Sequence, residues 1–270
     1  MTEADAIGRS ERPATVESLV ADLRGLGLEA GQVVLVHSSL SALGWVAGGA
    51  QAVLMALMEV LTDSGTLVMP AYSSDNSDPA HWQDPPVPEA WWQVIRDHMP
   101  AFNRKLTPSR RLGAIPELFR TAPDVRRSDH PSTSFCAWGR YAHAITADHR
   151  LNSSFGEESP LARVYDFDGL VLQLGVGHDT NSSLHLAEHR AEWGSKRSVK
   201  AGAAVELGHG RQWVQFEGLH YDSADFARIG AEFEASARVS RGNVACAESK
   251  LMRQRPLVDF GAQWMAANRK

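Results

Sequence analysis

The sequence holds 270 residues, 43% of them hydrophobic and 22% charged, with a formal net charge of −5 at neutral pH. That length suits one large domain, on a prior of roughly 100–200 residues per domain, and the composition excludes a disordered, collagen-like or low-complexity chain. The acidic balance disfavours nucleic acid as a partner, and no apolar run is long enough to cross a membrane.

The polar residues 1–13 carry no apolar signal segment and read as a flexible leader ahead of one domain over 14–270. Thr15 reads as the N-cap of a helix carrying Leu19, Val20, Leu23 and Leu26 at helical spacing. The run Val33 to Val36 is apolar and β-branched, as a strand buried on both faces requires. A helical pattern through Val53, Leu57 and Leu61 leads to a second such strand, Thr66 to Pro70. The segment between the two strands is long enough for a parallel crossover.

Residues 71–110 lose this periodicity and read as a long irregular segment with a short helix from Trp91 to Met99; loops of that length are usually functional or disordered. A helix (Ile115 to Thr121), a strand (Phe135 to Trp138) and a helix (Tyr141 to Ala147) follow, and Pro160 opens another helix. Leu170 to Leu174 is the strongest strand, and Ser182 or Ser183 is expected to cap a helix from Leu184 to about Trp193. Short strands (Ala203 to Leu207, Gln212 to Phe216) and a helix from Ser223 to Ala237 come last. The expected fold is α/β: a single domain with a central, mostly parallel sheet covered by helices on both faces. Two cysteines, Cys136 and Cys246, form neither a disulfide framework nor a metal clip, which suits a reducing cytoplasm.

Sites in open parallel sheets lie off the carboxyl ends of strands. Two such ends carry polar groups here, His37-Ser38-Ser39 and Gly177 to Ser182. His185, Glu188 and His189 follow at spacings that share one helix face. Three readings stand side by side. The face is a solvated Glu–His pair; or His-Leu-Ala-Glu-His is the H-x-x-E-H signature of a zinc peptidase; or His185 is a single general base. Phosphate-binding and serine-nucleophile motifs are absent.

Five segments in order resemble the aminoglycoside 3-N-acetyltransferase family, over about residues 15–240. They are Val36 to Leu40 with Gly48-Gly49, Gly65 to Pro70, Arg127 to Pro131, Ser159 to Arg163, and Leu174 to Glu188. The resemblance implies the family's α/β/α fold, acetyl-CoA as co-substrate without a metal, and the 3-amine of a 2-deoxystreptamine aminoglycoside as acceptor. It implies direct transfer conferring antibiotic resistance, by a cytoplasmic monomer or homodimer that needs no membrane. A non-antibiotic amine is the alternative acceptor. The catalytic base lands on His185, with Ser182 beside it where most relatives carry Thr, and His189 becomes incidental. Gly218 and His220 stand where relatives tend to be acidic, which leaves Glu217, then Asp222, as the carboxylate that orients the base.

On this reading His37, Ser38, Ser39 and Leu40 line the pantetheine arm, and Gly48 and Gly49 open a helix whose amides can meet phosphate. Arg110, with Arg104, Lys105 and Arg111, adds positive charge. A polycationic acceptor asks for carboxylates, and Asp75, Asp78 and Asp84 in the Trp-rich segment, with Asp179, Glu188, Glu192 and Asp222, are the candidates.

Overall fold

A computed structural model describes residues 2–208 and 210–270. Helix α1 (Glu3–Arg9) stands where the sequence suggests a flexible leader: Thr2 and Asp5 close a capping box over its first turn. Thr15 caps α2 (Val16–Leu26) as its sequence predicts, and Gly27 ends it with φ 103°. Strand β1 (Val33–Ser38), α3 (Gly49–Leu61) and β2 (Thr66–Pro70) form a parallel unit with Val33 opposite Thr66.

The chain then leaves the sheet through 71–113, which holds α4 (Trp92–His98), and returns by α5 (Ala114–Thr121) to β3 (Arg126–Arg127) and β4 (Phe135–Gly139). Next come α6 (Ala142–Thr146), α7 (Pro160–Asp166), β5 (Leu170–Leu174) and α8 (Ser183–Arg190). β6 (Ser198–Leu207) and β7 (Gly210–Leu219) pair only with each other, as a two-stranded arm. The chain closes with α9 (Phe226–Ser236), β8 (Ser240–Val244), β9 (Ala247–Arg253) and α10 (Gln254–Asn268).

The strands order β3-β4-β2-β1-β5-β9-β8 in one seven-stranded sheet. Parallel pairing holds at its centre, β2-β1-β5, where helical crossovers allow it; the flanks run antiparallel, β8–β9 through a tight turn and β3–β4 through a short connection, β2–β4 and β5–β9 across long excursions of the chain. Alternate residues of the central strands feed two cores. Val34, Val36, Leu67 and Leu172 meet α2, α3 and α5; Leu35, Val68 and Val171 meet α6 to α10. Fully buried side chains such as Leu35, Leu57 and Phe119 each contribute about 1.5–3 kcal/mol. The unread part is 240–270: β8 is a polar edge strand, and α10 hides its apolar stripe (Leu257, Val258, Trp264, Met265) among charges.

Candidate active site

The ends of β1, β2 and β5 converge, and α8 starts directly above them. Gly175 ends β5 at φ 65°, with Ala42 so close that a Cβ would lie 2.4 Å from its methyl. A short turn over 178–180 follows. Ser182 holds the N-cap position of α8 as expected but makes no capping bond; Asn181 Oδ1 accepts from the Ser183 N–H at 3.1 Å instead, while its Nδ2 donates to His178 Nδ1. His178 then gives its other N–H to Glu234 at 2.8 Å. The serine hydroxyl expected to cap is thereby released, and Ser182 Oγ pairs instead with Tyr72 Oη at 2.5 Å. α8 stops at Arg190, one turn short of the predicted Trp193.

His185 lies on the first turn of α8. Its Nδ1 donates to Glu188 Oε2 at 2.6 Å, which leaves Nε2 as the basic atom. Phe155 stacks on the imidazole (4.5 Å between centroids, 15° between planes), and Tyr221 and Phe226 close around it. Glu188 is wholly buried, and its second oxygen accepts from Arg269 (2.7 Å) and from the Asp222 N–H (2.9 Å). Burial opposes the charge on Arg269, but hydrogen bonds to Asp225 and Glu188 outweigh it and hold the guanidinium protonated. Both oxygens of this buried carboxylate thus have hydrogen-bond donors, His185 on one and Arg269 with the Asp222 N–H on the other.

His37 is buried below. Its Nε2 accepts from the Ser182 N–H at 3.3 Å, and burial, helped by His185 and His178, pushes its pKa down to about 3. Burial raises the Tyr72 phenol well above its ordinary value, so it stays a protonated donor. A cavity of about 700 Å³ opens from Tyr72 and Ser182 along His37, Ser38, Ser39 and Leu40 to Gly49. Ser38 Oγ is buried there without a protein partner among the described residues, a donor suited to an amide of a long, narrow ligand.

Of the residues expected to hold coenzyme, His37, Ser38, Ser39, Leu40 and Gly49 line this cavity. Gly48 is the N-cap of α3 beside it. Arg110 is ion-paired with Asp75, and its neighbour Arg111 lines the cavity instead. The carboxylate set departs further from expectation. Glu217 is not the carboxylate on His185: it sits on β7 opposite Lys200 and faces a groove with Phe102 and Leu151. Asp78 is buried, bonded to Arg96 at 2.7 Å and to the Ala80 N–H, so it builds the excursion rather than offering charge to a substrate. Glu188 is likewise buried, between His185 and Arg269. Asp179 and Asp222 are exposed, the latter capping the turn at Ala224.

His189 Nε2 bonds Tyr221 Oη at 2.8 Å, and the same phenol accepts from the Phe155 N–H. The H-x-x-E-H pair thus faces Glu188 and Tyr221, and no third ligand-type residue is grouped with it among the described residues. Sequence reasoning missed Tyr72, Phe155, Tyr221 and Arg269. Tyr72 alone had a signal, its place just past the end of β2.

A family model described as aminoglycoside 3-N-acetyltransferase matches residues 35–266. The SPbeta prophage-derived aminoglycoside N(3')-acetyltransferase-like protein YokD of Bacillus subtilis is 43% identical over 257 residues, 95% of this chain and 94% of the relative. A YokD crystal structure superposes with a TM-score of 0.96 at 41% identity, covering 98% of each chain. A structure of AAC-IIIb binary with CoASH has a TM-score of 0.84 at 33% identity, covering 95% of this chain and 97% of that one. AAC-VIa bound to sisomicin follows at 0.85 and 32%, covering 95% and 98%.

Proposed function

The chain belongs to the aminoglycoside 3-N-acetyltransferase family of acyltransferase enzymes, and from that premise we propose that it transfers acetyl from acetyl-CoA to the 3-amine of a 2-deoxystreptamine aminoglycoside, conferring resistance in the cytoplasm. The observation that carries this is the His185–Glu188 bond at 2.6 Å, one helical turn from Ser182, which lines the cavity at the strand ends. The relative bound to CoASH supports the donor, and the one bound to sisomicin supports the acceptor.

The amine nitrogen attacks the thioester carbon while His185 Nε2 takes its proton. Negative charge grows on the carbonyl oxygen, where Tyr72 Oη and Ser182 Oγ, adjacent hydroxyls at the cavity mouth, can donate to it. The carbon–sulfur bond then breaks, and the proton held by His185 passes to the leaving sulfur. Glu188 keeps the imidazole in the Nδ1–H tautomer and stabilises the imidazolium between these steps. Thiol release from acetyl-CoA in the presence of gentamicin, kanamycin and apramycin tests the proposal. Turnover with at least one is expected, and none with any 2-deoxystreptamine compound overturns the acceptor.

One observation favours a second acceptor, a less cationic amine. Asp75, Asp78 and Asp84 are each neutralised by an arginine, and Glu188 is spent on Arg269. A panel of simple amines in the same assay separates the two readings.

A further inference from the structure

We propose that helix α1 is a wall of the acyl-donor site, closing over the uncharged pantetheine arm. The inference rests on the donor reading above; α1 itself lies outside the residues that the family model matches, 35–266. Thr2, Glu3 and Ala6 line the same cavity as Ser38 and Leu40. A seven-residue helix does not hold its shape alone, and this one buries only Ala6 while leaving Ile7 55% exposed.

What holds α1 is the turn that forms the cavity's rim. Trp45 Nε1 donates to Glu3 Oε1 at 3.2 Å, the Trp45 N–H donates to Ser10 Oγ at 2.8 Å, and the Arg9 guanidinium donates to the Ser41 carbonyl. Gly44 makes the approach possible: a Cβ there would lie 2.5 Å from Ser10 Oγ and 2.8 Å from Cys246 Sγ. The helix is therefore docked onto the donor cavity by a dedicated close contact. Its cavity face carries a methyl and an acid whose carboxylate is turned to Trp45, with no cation among its lining residues. That surface suits the neutral amide arm of the donor and not its phosphates, which fall to the Gly49 and Arg111 side.

The test uses the full chain with Ala6→Phe, which drives a ring into the cavity or lifts the helix away from it. Coenzyme A titrated calorimetrically is expected to bind about tenfold more weakly, and the KM for acetyl-CoA to rise in parallel. The kcat at saturating donor and the KM of the amine should stay within about twofold. Deletion of residues 2–9 should do the same, with a thermal melt to show that the rest stays folded; if it does not, Ala6→Phe decides alone. Ile7→Lys, on the solvent side of the same helix, should change nothing, which a general destabilisation of the segment would not allow. Coenzyme affinity and KM unchanged in Ala6→Phe overturn the inference while leaving the donor reading intact. Full-length protein that fails to bind coenzyme A at all brings down both.

Discussion

The two sides of the cleft are built on different plans. On the proposed reading the donor side is made mainly of short pieces, 37–41, 44–49 and 176–182, that hang from the ends of β1 and β5 or open α3, with α1 and 111–116 completing the cavity. On the same reading the acceptor side is gathered from the 73–110 part of the excursion, the loop at Phe155 and the β6–β7 arm. Phe102 and Arg211 tie the arm to the excursion through hydrogen bonds to Ala204 and Met99. Several of its carboxylates are paired: Asp75 with Arg110, Asp84 with Arg111, Asp129 with Arg104. The lesson is physical. A wall hung from sheet ends inherits the register of the sheet and stays legible as motif, whereas a wall made of excursions is fixed by distant partners.

The largest effect should come where the two sides meet. His185→Ala is expected to lower kcat by roughly 10²–10⁴-fold, the range of general acid–base catalysis, with both KM values nearly constant. A variant retaining most of its turnover would move the base elsewhere, and His37 is the next residue to examine. Glu188→Ala follows, because it removes one of the two carboxylates paired with Arg269 and the acceptor of the His185 Nδ1–H. It should cost about 1.5–3 kcal/mol of stability, the worth of a hydrogen bond to a charged group, and reduce kcat as well, whereas Glu217→Gln should leave both unchanged. Urea midpoints and turnover of the two variants, side by side, decide which carboxylate serves the base.

That pair also marks how far the sequence could be read. The central strands, the strand-end serines and the shared helix face of His185 and Glu188 are all local patterns, and they stand in the structure as read. Helical spacing says that Glu188 faces the same way as His185, but not that it is buried between them and a guanidinium. Arg269 lies 81 residues further on, in a tail with no motif. Glu217 looked suitable because its strand was expected to end at Phe216. The strand runs on to Leu219 and places it across from Lys200 instead.

A third prediction compares the floors of the two sides. Burial pushes His37, under the donor cavity, down to about 3 and His130, under the acceptor wall, down to about 4; His149 beside it is shifted in the same direction. Each is neutral when folded and more basic when unfolded, so its contribution is full above an unfolded pKa near 6.5 and is lost as pH falls toward the folded value. His37 and His130 together should cost about 2–3 kcal/mol of stability between pH 7 and 5.5. Urea melts at the two pH values measure this, and His130→Asn should reduce the slope by one proton. An unchanged slope would mean that His130 is already charged in the fold.

The smallest effect is the most direct test of the paired acceptor wall. Arg110 stands between two roles, because its guanidinium neutralises Asp75 while its backbone N–H is tied to the Tyr72 carbonyl at 2.8 Å, close to the donor mouth. Both side chains are partly exposed, so the pair is worth at most about 1 kcal/mol. If Asp75 faces a cationic acceptor, Arg110→Gln frees a carboxylate and should lower the aminoglycoside KM two- to fivefold at low ionic strength. The gain should fade in high salt, as screening requires. If Arg110 meets coenzyme phosphate instead, the same variant raises the KM for acetyl-CoA and leaves the amine alone. Because one substitution moves two different constants, a single set of initial rates over both substrates assigns the residue to one side of the cleft.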